Sequence, residues 1–158
     1  MSKIAPCIWF GGDAEEAANF YVSVVPNSRI VHVQRNPIDT PGGKTGTVLI
    51  VEFTLAGQRF LALNGGTRFE HSYAISLAID CEDQAEVDRL AEGLSAGGKI
   101  EACGWVKDRW GVSWQIVPQA VWKLLADPDP EKSARVMAAV MEMEKIDIAT
   151  LEKAHRGD

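Results

Sequence analysis

The feature that most constrains the fold of this chain is an internal repeat with a spacing of seventy residues. Residues 3–10 have the pattern of a short buried strand, a glycine pair ends that strand, and Asp13 stands at the N-cap position of a helix. The same order returns with a strand over residues 73–79 and Asp83 as the cap of a second helix. A chain that repeats a strand and a helix in this way is expected to fold as two similar modules.

Each predicted helix carries an apolar face and is followed by three predicted strands. The apolar faces comprise Ala14, Ala17, Ala18, Tyr21 and Val25 in the first helix, and Val87, Leu90 and Leu94 in the second. The strands span residues 28–35, 47–55 and 58–64 after the first helix, and 99–102, 105–107 and 112–117 after the second. The sequence therefore predicts an α+β fold of two βαβββ modules in residues 1–118, the first over about residues 1–66 and the second over about 71–118.

Residues 119–158 are predicted to form a helical extension. Asp129 precedes Pro130, the usual arrangement of an N-cap and a first-turn proline, and Asp147 caps a short last helix. The helix after Pro130 carries a stripe of aliphatic and methionine side chains. Its members are Val136, Met137, Val140, Met141 and Met143. The stripe is interpreted either as a packing surface, in the core or in a dimer contact, or as an adaptable binding face.

The charge balance and the hydropathy pattern argue against two classes of partner. Sixteen Lys and Arg residues against twenty-two Asp and Glu residues leave a net charge of −6, and no basic cluster is present to neutralise a nucleic-acid backbone. No apolar run approaches the ~20 residues of a membrane span, and the N-terminal residues lack the apolar region of a signal peptide. We therefore expect neither nucleic-acid nor membrane partners.

The cysteines indicate a reducing compartment. Cys7, Cys81 and Cys103 are odd in number, and no two of them are spaced as CxxC, so no disulfide framework is indicated. We expect all three thiols to be reduced and the protein to be cytoplasmic.

The densest motif of the sequence covers residues 103–118, where three of the five tryptophans lie. Together with four other stretches, it resembles the PhnB-like branch of the vicinal oxygen chelate superfamily, which also contains glyoxalase I, extradiol dioxygenases and bleomycin-resistance proteins. Those stretches are Trp9-Phe10 with Ala17, Phe20 and Tyr21, residues 62–66, residues 74–77, and residues 135–147. The resemblance implies that the two modules form a cupped mixed/antiparallel sheet around a cavity, and that the protein is a homodimer.

Enzymes of this superfamily hold a divalent metal with one His or Glu from each of four strands of the cup. At the matching positions, the first strand of the first module offers Cys7 and Trp9, and its last strand offers Asn64. The first strand of the second module offers Ser76, and its last strand has Gln115 where the pattern has a Glu. Since none of the four positions carries a His or a Glu, we expect no metal and no other cofactor.

Members of this branch carry the label 3-demethylubiquinone 3-methyltransferase, which the residues of this chain do not support. A methyl donor such as S-adenosylmethionine is usually held at a glycine-rich turn between a strand and a helix. The nearest candidate is Gly42-Gly43 followed by Gly46, and it opens onto a predicted strand instead. Methyl transfer is therefore not the expected activity.

Aromatic and amide side chains at the cup positions favour a metal-independent site for a small, flat, apolar molecule. The expected ligand-binding residues are Cys7, Trp9, Asn64, Ser76, Trp105, Ser113 and Gln115. The alternative is that the tryptophans only fill a small cup. Alternation along the last strand places Ser113 and Gln115 on one face and Trp114 on the other. If Gln115 keeps the ligand-position orientation that the resemblance implies, Ser113 and Gln115 face the cup and Trp114 packs behind the sheet, against a helix. A buried Gln115 amide needs a partner, which we expect to be Ser76, Asn64, water or a ligand.

Glu52 and His71 are weaker candidates for catalysis, and each has a structural alternative. Glu52 alternates with apolar neighbours on a strand, so it is either a buried general base facing the cup or a solvated outward side chain. His71 follows Glu70, and the two side chains form an acid–base pair at the cup mouth or belong to a solvated loop.

Cys103 is the third catalytic candidate. Lys107 and Arg109 follow it closely and would favour its thiolate form, which is the reactive one. The alternative is a small buried apolar residue, as most cysteines in folded proteins are.

Three functions remain open at the level of the sequence. The first is a metal-independent small-molecule-binding protein. The second is an enzyme that acts on a small apolar or aromatic substrate through Glu52, Cys103 or His71, without the standard metal. The third is a structural or partner-binding dimer, suggested by the methionines of the helical extension.

Overall fold

The computed structural model describes residues 3–158. The chain divides after Glu70 into two compact units, and the second unit runs from His71 to Asp158. Each unit contains one four-stranded sheet. Within the described range, none of the helices combines the length and the apolar character that crossing a lipid bilayer requires.

The first unit is a mixed sheet with one helix. Its elements are β1 (Cys7–Phe10), α1 (Ala14–Val24), β2 (Arg29–Arg35), β3 (Val48–Leu55) and β4 (Gln58–Asn64). The strand order is β1-β4-β3-β2, with β1 parallel to β4 and the other pairs antiparallel. Ala56 and Gly57 both have positive φ, as the tight turn of the predicted β3–β4 hairpin requires.

α1 packs closely on one face of the first sheet because most of its inward residues are small. The predicted face is buried at Ala14, Ala17, Ala18 and Tyr21. The sheet presents alternate residues to the helix, among them the fully buried Phe53 and Ala62. The Phe53 ring stacks on Phe60, with 5.5 Å between the ring centroids. This face of the sheet and the helix together form the core of the first unit.

The second unit repeats this topology and adds three helices. Its elements are β5 (Ser76–Cys81), α2 (Gln84–Ser95), β6 (Lys99–Ile100), β7 (Trp105–Lys107), β8 (Ser113–Pro118), α3 (Gln119–Leu125), α4 (Pro130–Met141) and α5 (Ile148–Arg156). The strand order is β5-β8-β7-β6, again with a parallel first pair and antiparallel pairs after it. The predicted α+β fold of two βαβββ modules is confirmed.

Trp114 is the largest fully buried side chain of the second unit. It lies on the face of β8 that α2 covers, as alternation predicts. Its indole Nε1 donates a hydrogen bond of 2.9 Å to Asp108 Oδ2. Asp108 Oδ1 accepts from the amides of Trp110 and Val112, at 2.9 and 3.0 Å. Asp108 therefore ties the predicted turn before β8 to the core.

The three C-terminal helices form a small core at the end of β8. It consists of Val117, Val121, Val136, Ile146 and Leu151, with Val140 and Met143 packed against it. Asp129 and Asp147 cap α4 and α5 with their side chains, as predicted. Met137 and Met141 are exposed, so the methionine stripe is only partly a packing surface.

Several strand boundaries differ from the sequence expectation, most of them by one or two residues. The strand expected over residues 3–10 begins at Cys7, and the strand expected over 73–79 begins at Ser76, where its pairing with β8 starts. The strand expected over 99–102 ends at Ile100, because Ala102–Gly104 forms a 3-10 turn. The backbone amides of that turn donate to two carbonyls before α5 and so fasten the helical extension.

Asp13 begins α1 but does not cap it with its side chain, contrary to the sequence expectation. Its carboxylate is paired with Arg68 at 2.7 Å. The Ala14 amide donates to Asn64 Oδ1 instead, at 2.9 Å, because Asn64 ends the strand next to β1. The equivalent Asp83 does cap α2, by accepting from an amide of the first turn at 2.8 Å.

Candidate functional site

Each sheet has one face covered by α1 or α2 and one face that points away from that helix, the free face. Side chains alternate along a strand and register partners point the same way, so the pairing identifies the members of each free face. In the first sheet they are Cys7, Trp9, Arg29, His32, Gln34, Ile50, Glu52, Thr54, Arg59, Leu61 and Leu63. In the second sheet they are Ser76, Ala78, Asp80, Lys99, Trp105, Lys107, Ser113, Gln115 and Val117.

The free face of the first sheet has one ion pair among the apolar side chains of β3 and β4. Glu52 Oε1 accepts a hydrogen bond of 2.6 Å from Arg59 Nε, with 25% and 29% of the two side chains exposed. Glu52 thus points to the free face, and Arg59 balances its charge there. Glu52 is half-buried and paired, so it is neither the unpaired buried general base nor the fully solvated side chain of the two sequence interpretations.

Trp9 and Cys7 share this free face at β1. Trp9 Nε1 donates to the Thr67 carbonyl at 2.6 Å, and the indole lies 5.4 Å from the Phe69 ring centroid. Gly65 is required beneath the indole, since a Cβ there would overlap it. Cys7 is exposed at the start of the strand, and desolvation by its neighbours raises the pKa of its thiol. Cys7 therefore lacks the thiolate character of a nucleophile.

An open groove of ≈ 580 Å³ lies beside the ion pair. It is lined by Asn27, Ser28, Arg29, Val31, Glu52, Thr54, Gly57 and Arg59. Two arginines against one glutamate give its wall a net positive charge. Of the candidate residues identified in the sequence, Glu52 alone lines this groove.

The free face of the second sheet carries polar groups at its centre. Gln115 Nε2 donates a hydrogen bond of 2.8 Å to Ser76 Oγ, which confirms one of the expected partners of the amide. Trp105 is the register partner of Gln115 on β7, so its indole stands next to the amide. Ser113 is 1% exposed, and its Oγ has no hydrogen-bond partner in the part of the chain that the structure describes.

A charged cluster adjoins Trp105. Glu101 Oε1 accepts from the Tyr73 hydroxyl at 2.8 Å and lies 2.7 Å from Lys99 Nζ. Lys107 Nζ lies 3.9 Å from the centroid of the Tyr73 ring, which meets Trp105 edge-on at 6.0 Å. The cluster thus combines two ammonium groups, one carboxylate and two aromatic rings.

The ionisation of this cluster follows from its contacts. Burial opposes the ionised form of Glu101, but the hydrogen bonds from Lys99 and Tyr73 outweigh it and hold the pKa of Glu101 below its ordinary value. The hydrogen bond to Glu101 raises the pKa of Lys99. Both groups are therefore charged at neutral pH.

Cys103 lies in the 3-10 turn before β7, and its surroundings differ from those expected. Its sulfur is 3.9 Å from the Met141 sulfur. Lys107 and Arg109, which were expected to favour its thiolate, lie over aromatic rings instead. Burial raises the pKa of another thiol, that of Cys81, to about 12, so Cys81 is structural.

His71 is half-buried in the segment before β5. It belongs to the second unit, whereas Glu70 ends the first. The three catalytic candidates, Glu52, Cys103 and His71, therefore lie on three different segments. Their catalytic roles remain predictions.

Asn64 lies on the helix-covered face of β4 and is buried. Its Oδ1 accepts from Ala14 N at 2.9 Å, and its Nδ2 donates to the Val48 carbonyl at 3.0 Å. Both polar atoms of the amide therefore hold α1 and β3 in place. The ligand-binding role expected for Asn64 remains a prediction, and these contacts do not favour it.

Lys107, Tyr73 and Glu101 belong to this candidate site, but the sequence reasoning did not predict them as ligand-binding residues. The signal for Lys107 is its even spacing from Trp105 on one short strand, which places both side chains on the same face. Tyr73 and Glu101 lie outside the strands, and their contacts depend on the pairing of β6 with β7. No local pattern identifies them.

The donors at the expected metal positions do not fit a divalent ion. Ser76 and Gln115 are neutral and hydrogen-bonded to each other, and the Asn64 amide is held by backbone groups. Cys7 supplies a thiol of raised pKa. Across residues 3–158, no three His, Cys, Asp or Glu side chains come close enough together to hold a metal. These four positions thus lack the His and Glu donors that metal sites of this superfamily use.

The glycines at positions 42, 43 and 46 serve the loop between β2 and β3. A Cβ at Gly42 would overlap the Asn64 carbonyl, and the Thr47 side chain fills the space beside Gly43. The loop leads into β3 and not into a helix, as predicted. It therefore does not have the strand–turn–helix arrangement that holds a methyl donor.

The two βαβββ units define the class of protein: the chain has the glyoxalase/bleomycin-resistance-like fold. The sequence model of the family described as 3-demethylubiquinone-9 3-methyltransferase matches residues 2–117, well over half of the chain. The chain belongs to this family. The resemblance to the PhnB-like branch is confirmed, and the helical extension lies beyond the matched residues.

Solved structures agree with this assignment. A putative 3-demethylubiquinone-9 3-methyltransferase, PhnB protein, from Bacillus cereus is 36% identical over 74% of this chain and 99% of that chain, with a TM-score of 0.66. Protein PA1353 from Pseudomonas aeruginosa is 18% identical over 75% of this chain and 98% of that chain, with a TM-score of 0.62, a likeness that shows the fold alone. A search among curated proteins found no match.

Proposed function

We propose that the protein binds a small organic molecule on the free face of its second sheet, without a divalent metal. The observation that carries this proposal is the 2.8 Å hydrogen bond between Gln115 and Ser76, at positions where enzymes of the superfamily have metal ligands. An amide and a hydroxyl are neutral groups that donate and accept hydrogen bonds. They suit a polar group of an organic ligand better than a metal ion.

The surroundings of the Gln115–Ser76 pair support an organic ligand. Trp105 stands next to Gln115, and Tyr73 meets the indole edge-on. An aromatic wall with a few convergent polar groups is typical of small-molecule sites. In the first unit, Cys7 and Trp9 share a free face and remain proposed ligand-binding residues.

A thermal-shift screen of metabolites tests this proposal. We expect at least one organic compound to raise the Tm of the wild-type protein and to lose that effect in Gln115→Leu. The variant should keep its folding stability within roughly 1–2 kcal/mol, since one surface-accessible hydrogen bond is lost. Gln119→Leu, at an exposed position of α3, is the matched control and should retain the shift. A screen in which no compound changes the Tm would contradict the proposal.

Metal analysis tests the second half of the proposal. The protein dialysed against a chelator should contain far less than one equivalent of zinc, nickel, iron or manganese, and should keep its ligand-induced shift. Gln115→Glu alone should not create a metal site, because the other three positions offer no His or carboxylate. Stoichiometric metal retained after dialysis would show that other residues bind it.

The alternative function is an enzyme that acts on a small apolar or aromatic substrate without the standard metal. The Glu52–Arg59 pair beside the groove of the first unit favours it, because a half-buried carboxylate is a candidate general base. Turnover that disappears in Glu52→Gln while ligand binding is retained would favour the enzyme. Cys103→Ser and His71→Asn test the two other candidates. Methyl transfer is not proposed, since no cradle for a methyl donor is formed by the glycine loop.

We also propose that the protein is a cytoplasmic homodimer. Each sheet has two edge strands, and each edge strand is unpaired on one side within its unit. The edge strands are β1 and β2 in the first sheet and β5 and β6 in the second. Such edges usually require pairing or cover. Phe69 and Ile75 are large apolar side chains that are exposed in the single chain. Sedimentation that shows only a monomer would contradict this proposal.

A further inference from the structure

The buried Ser113 hydroxyl points to the chemistry of the ligand. Ser113 Oγ lies on the free face of β8 and, among residues 3–158, is the one fully buried side-chain polar atom without a hydrogen-bond partner. Buried hydroxyls in native proteins nearly always have a partner. Gln115 and Ser76 bond each other on the same face, so Ser113 is the hydroxyl of that face whose hydrogen-bonding capacity is unused within the described residues.

The register places Ser113 in a row of four residues that crosses the second sheet. Ser76 on β5 and Lys107 on β7 are both register partners of Ser113, and Lys99 on β6 is the partner of Lys107. Their side chains therefore point to the same face. The row offers two hydroxyl groups and two ammonium groups.

The charges in this row are not balanced. Lys99 Nζ lies 2.7 Å from Glu101, whereas Lys107 Nζ lies over the Tyr73 ring at 3.9 Å. An aromatic face attracts a cation without cancelling its charge. Asp108, which follows β7, is turned to the core, where it accepts from Trp114. Asp80 shares the free face but lies four residues along β5 from Ser76, where it accepts from the Trp122 indole. One positive charge is therefore left beside the unpartnered hydroxyl.

We infer that the ligand is an aromatic carboxylate. Its carboxylate oxygens accept hydrogen bonds from Ser113 Oγ and the Lys107 ammonium, and its ring lies against Trp105. Hydroxyl and ammonium donors are the usual partners of a carboxylate, and charge-assisted hydrogen bonds are the stronger ones. Trp105 and Tyr73 supply the aromatic wall for the ring. This inference rests on the proposed function and names the class of molecule that the site takes.

The test compares 2-naphthoate with its neutral isostere 2-naphthamide by calorimetry on the full chain. Wild type should bind the naphthoate about tenfold more tightly than the amide. Lys107→Met should remove this preference by weakening the naphthoate alone, and Ser113→Ala should weaken it several-fold. Lys107→Arg retains the charge and should retain the preference. Lys123→Met, on an exposed position of α3, removes the same charge elsewhere and should change neither affinity.

Three results would overturn the inference. The first is equal affinity of wild type for the two probes; if Gln115→Leu then weakens both, the small-molecule site stands and only the carboxylate is refuted. The second is a Lys107→Met variant that loses both probes alike, which indicates a structural role for Lys107. The third is no binding of either probe at millimolar concentration, in which case the metabolite screen decides separately whether the proposed function holds.

Discussion

The two units of the chain share one topology but present different chemistry on their free faces. In both, the first strand runs parallel to the last, and the helix covers one face of the sheet. The free face of the first sheet carries aliphatic side chains and the Glu52–Arg59 pair on β3 and β4, with polar side chains on β2. That of the second carries hydroxyl, amide, ammonium and carboxylate groups. Only the helix-covered faces must be apolar, because α1 and α2 pack against them, whereas the free faces can carry polar side chains. The packing of the two helices therefore leaves the polar residues of the second free face available for the proposed ligand site.

The helix-covered faces show what the two units do share. Four residues with the same spacing form the buried face of each helix, namely Ala14, Ala17, Ala18 and Tyr21 in α1, and Val87, Leu90, Ala91 and Leu94 in α2. Matching members lie seventy-three positions apart, although Asp13 and Asp83 lie seventy apart. The repeat is thus one of topology and packing, and small shifts in register separate its individual elements.

The largest expected effect is a loss of stability in the second unit that leaves the first unit unchanged. Asp108→Ala removes the acceptor of the Trp114 indole and of two backbone amides in a buried position. We expect a loss of roughly 3 kcal/mol or more in the free energy of unfolding, because buried donors without an acceptor cost about 1–3 kcal/mol each. Urea denaturation measures the loss, and hydrogen exchange should show it in β7 and β8.

Asp158→Ala is the matched control, since Asp158 is an exposed residue paired with Arg156. Its effect should stay within about 0.5 kcal/mol. If Asp108→Ala weakened the protection of β3 and β4 as much as that of β8, the two units would unfold together and the comparison between them would fail.

The second prediction concerns the two helix starts. Asn64→Ala removes a buried amide that caps α1 and holds β3, whereas Asp83→Ala removes a cap at the surface end of α2. We expect Asn64→Ala to cost about 2–3 kcal/mol, since buried partners are left unpaired, and Asp83→Ala about 1 kcal/mol. Chemical denaturation of both variants measures the difference. Equal costs would mean that the side chain of Asn64 is as replaceable as an ordinary cap.

Much of the fold is readable in local patterns of the sequence. The hairpin β3–β4 and the strand β7 lie where turn residues and apolar runs place them. Alternation also puts Ser113 and Gln115 on the face opposite Trp114, because a period of two needs no knowledge of the partner strand, and the resemblance to the family pattern indicated which face is which.

Asn64 and the charged cluster show where sequence reasoning was incomplete. Asn64 has even spacing from Phe60 and Ala62, which are buried under α1, so alternation alone assigns it to the helix-covered face; the resemblance to a family pattern led to the opposite expectation. The contact of Lys107 with Tyr73 requires the pairing of distant segments and a side-chain direction outside any strand. Neither that pairing nor that side-chain direction is encoded in a local pattern.

The smallest expected effect is a pH dependence that arises in the second unit, from the Lys99–Glu101 pair. The pKa of Glu101 lies below its ordinary value of 4.5, so its contribution to stability is complete above pH 4.5 and is lost as the pH falls through the folded-state pKa. The pKa of Lys99 lies above its ordinary value of 10.5, so its contribution is complete below pH 10.5 and is lost as the pH rises through the folded-state pKa. Because Lys99 is largely exposed, the effect should be smaller than that of the Asp83 cap.

Denaturation midpoints of wild type and Glu101→Gln, measured across both pH ranges, should converge at the acid end and differ most near neutrality. Glu142→Gln, at an exposed carboxylate, is the control and should follow wild type; a Glu101→Gln curve parallel to wild type at every pH would show that the pair contributes nothing to the difference between the units.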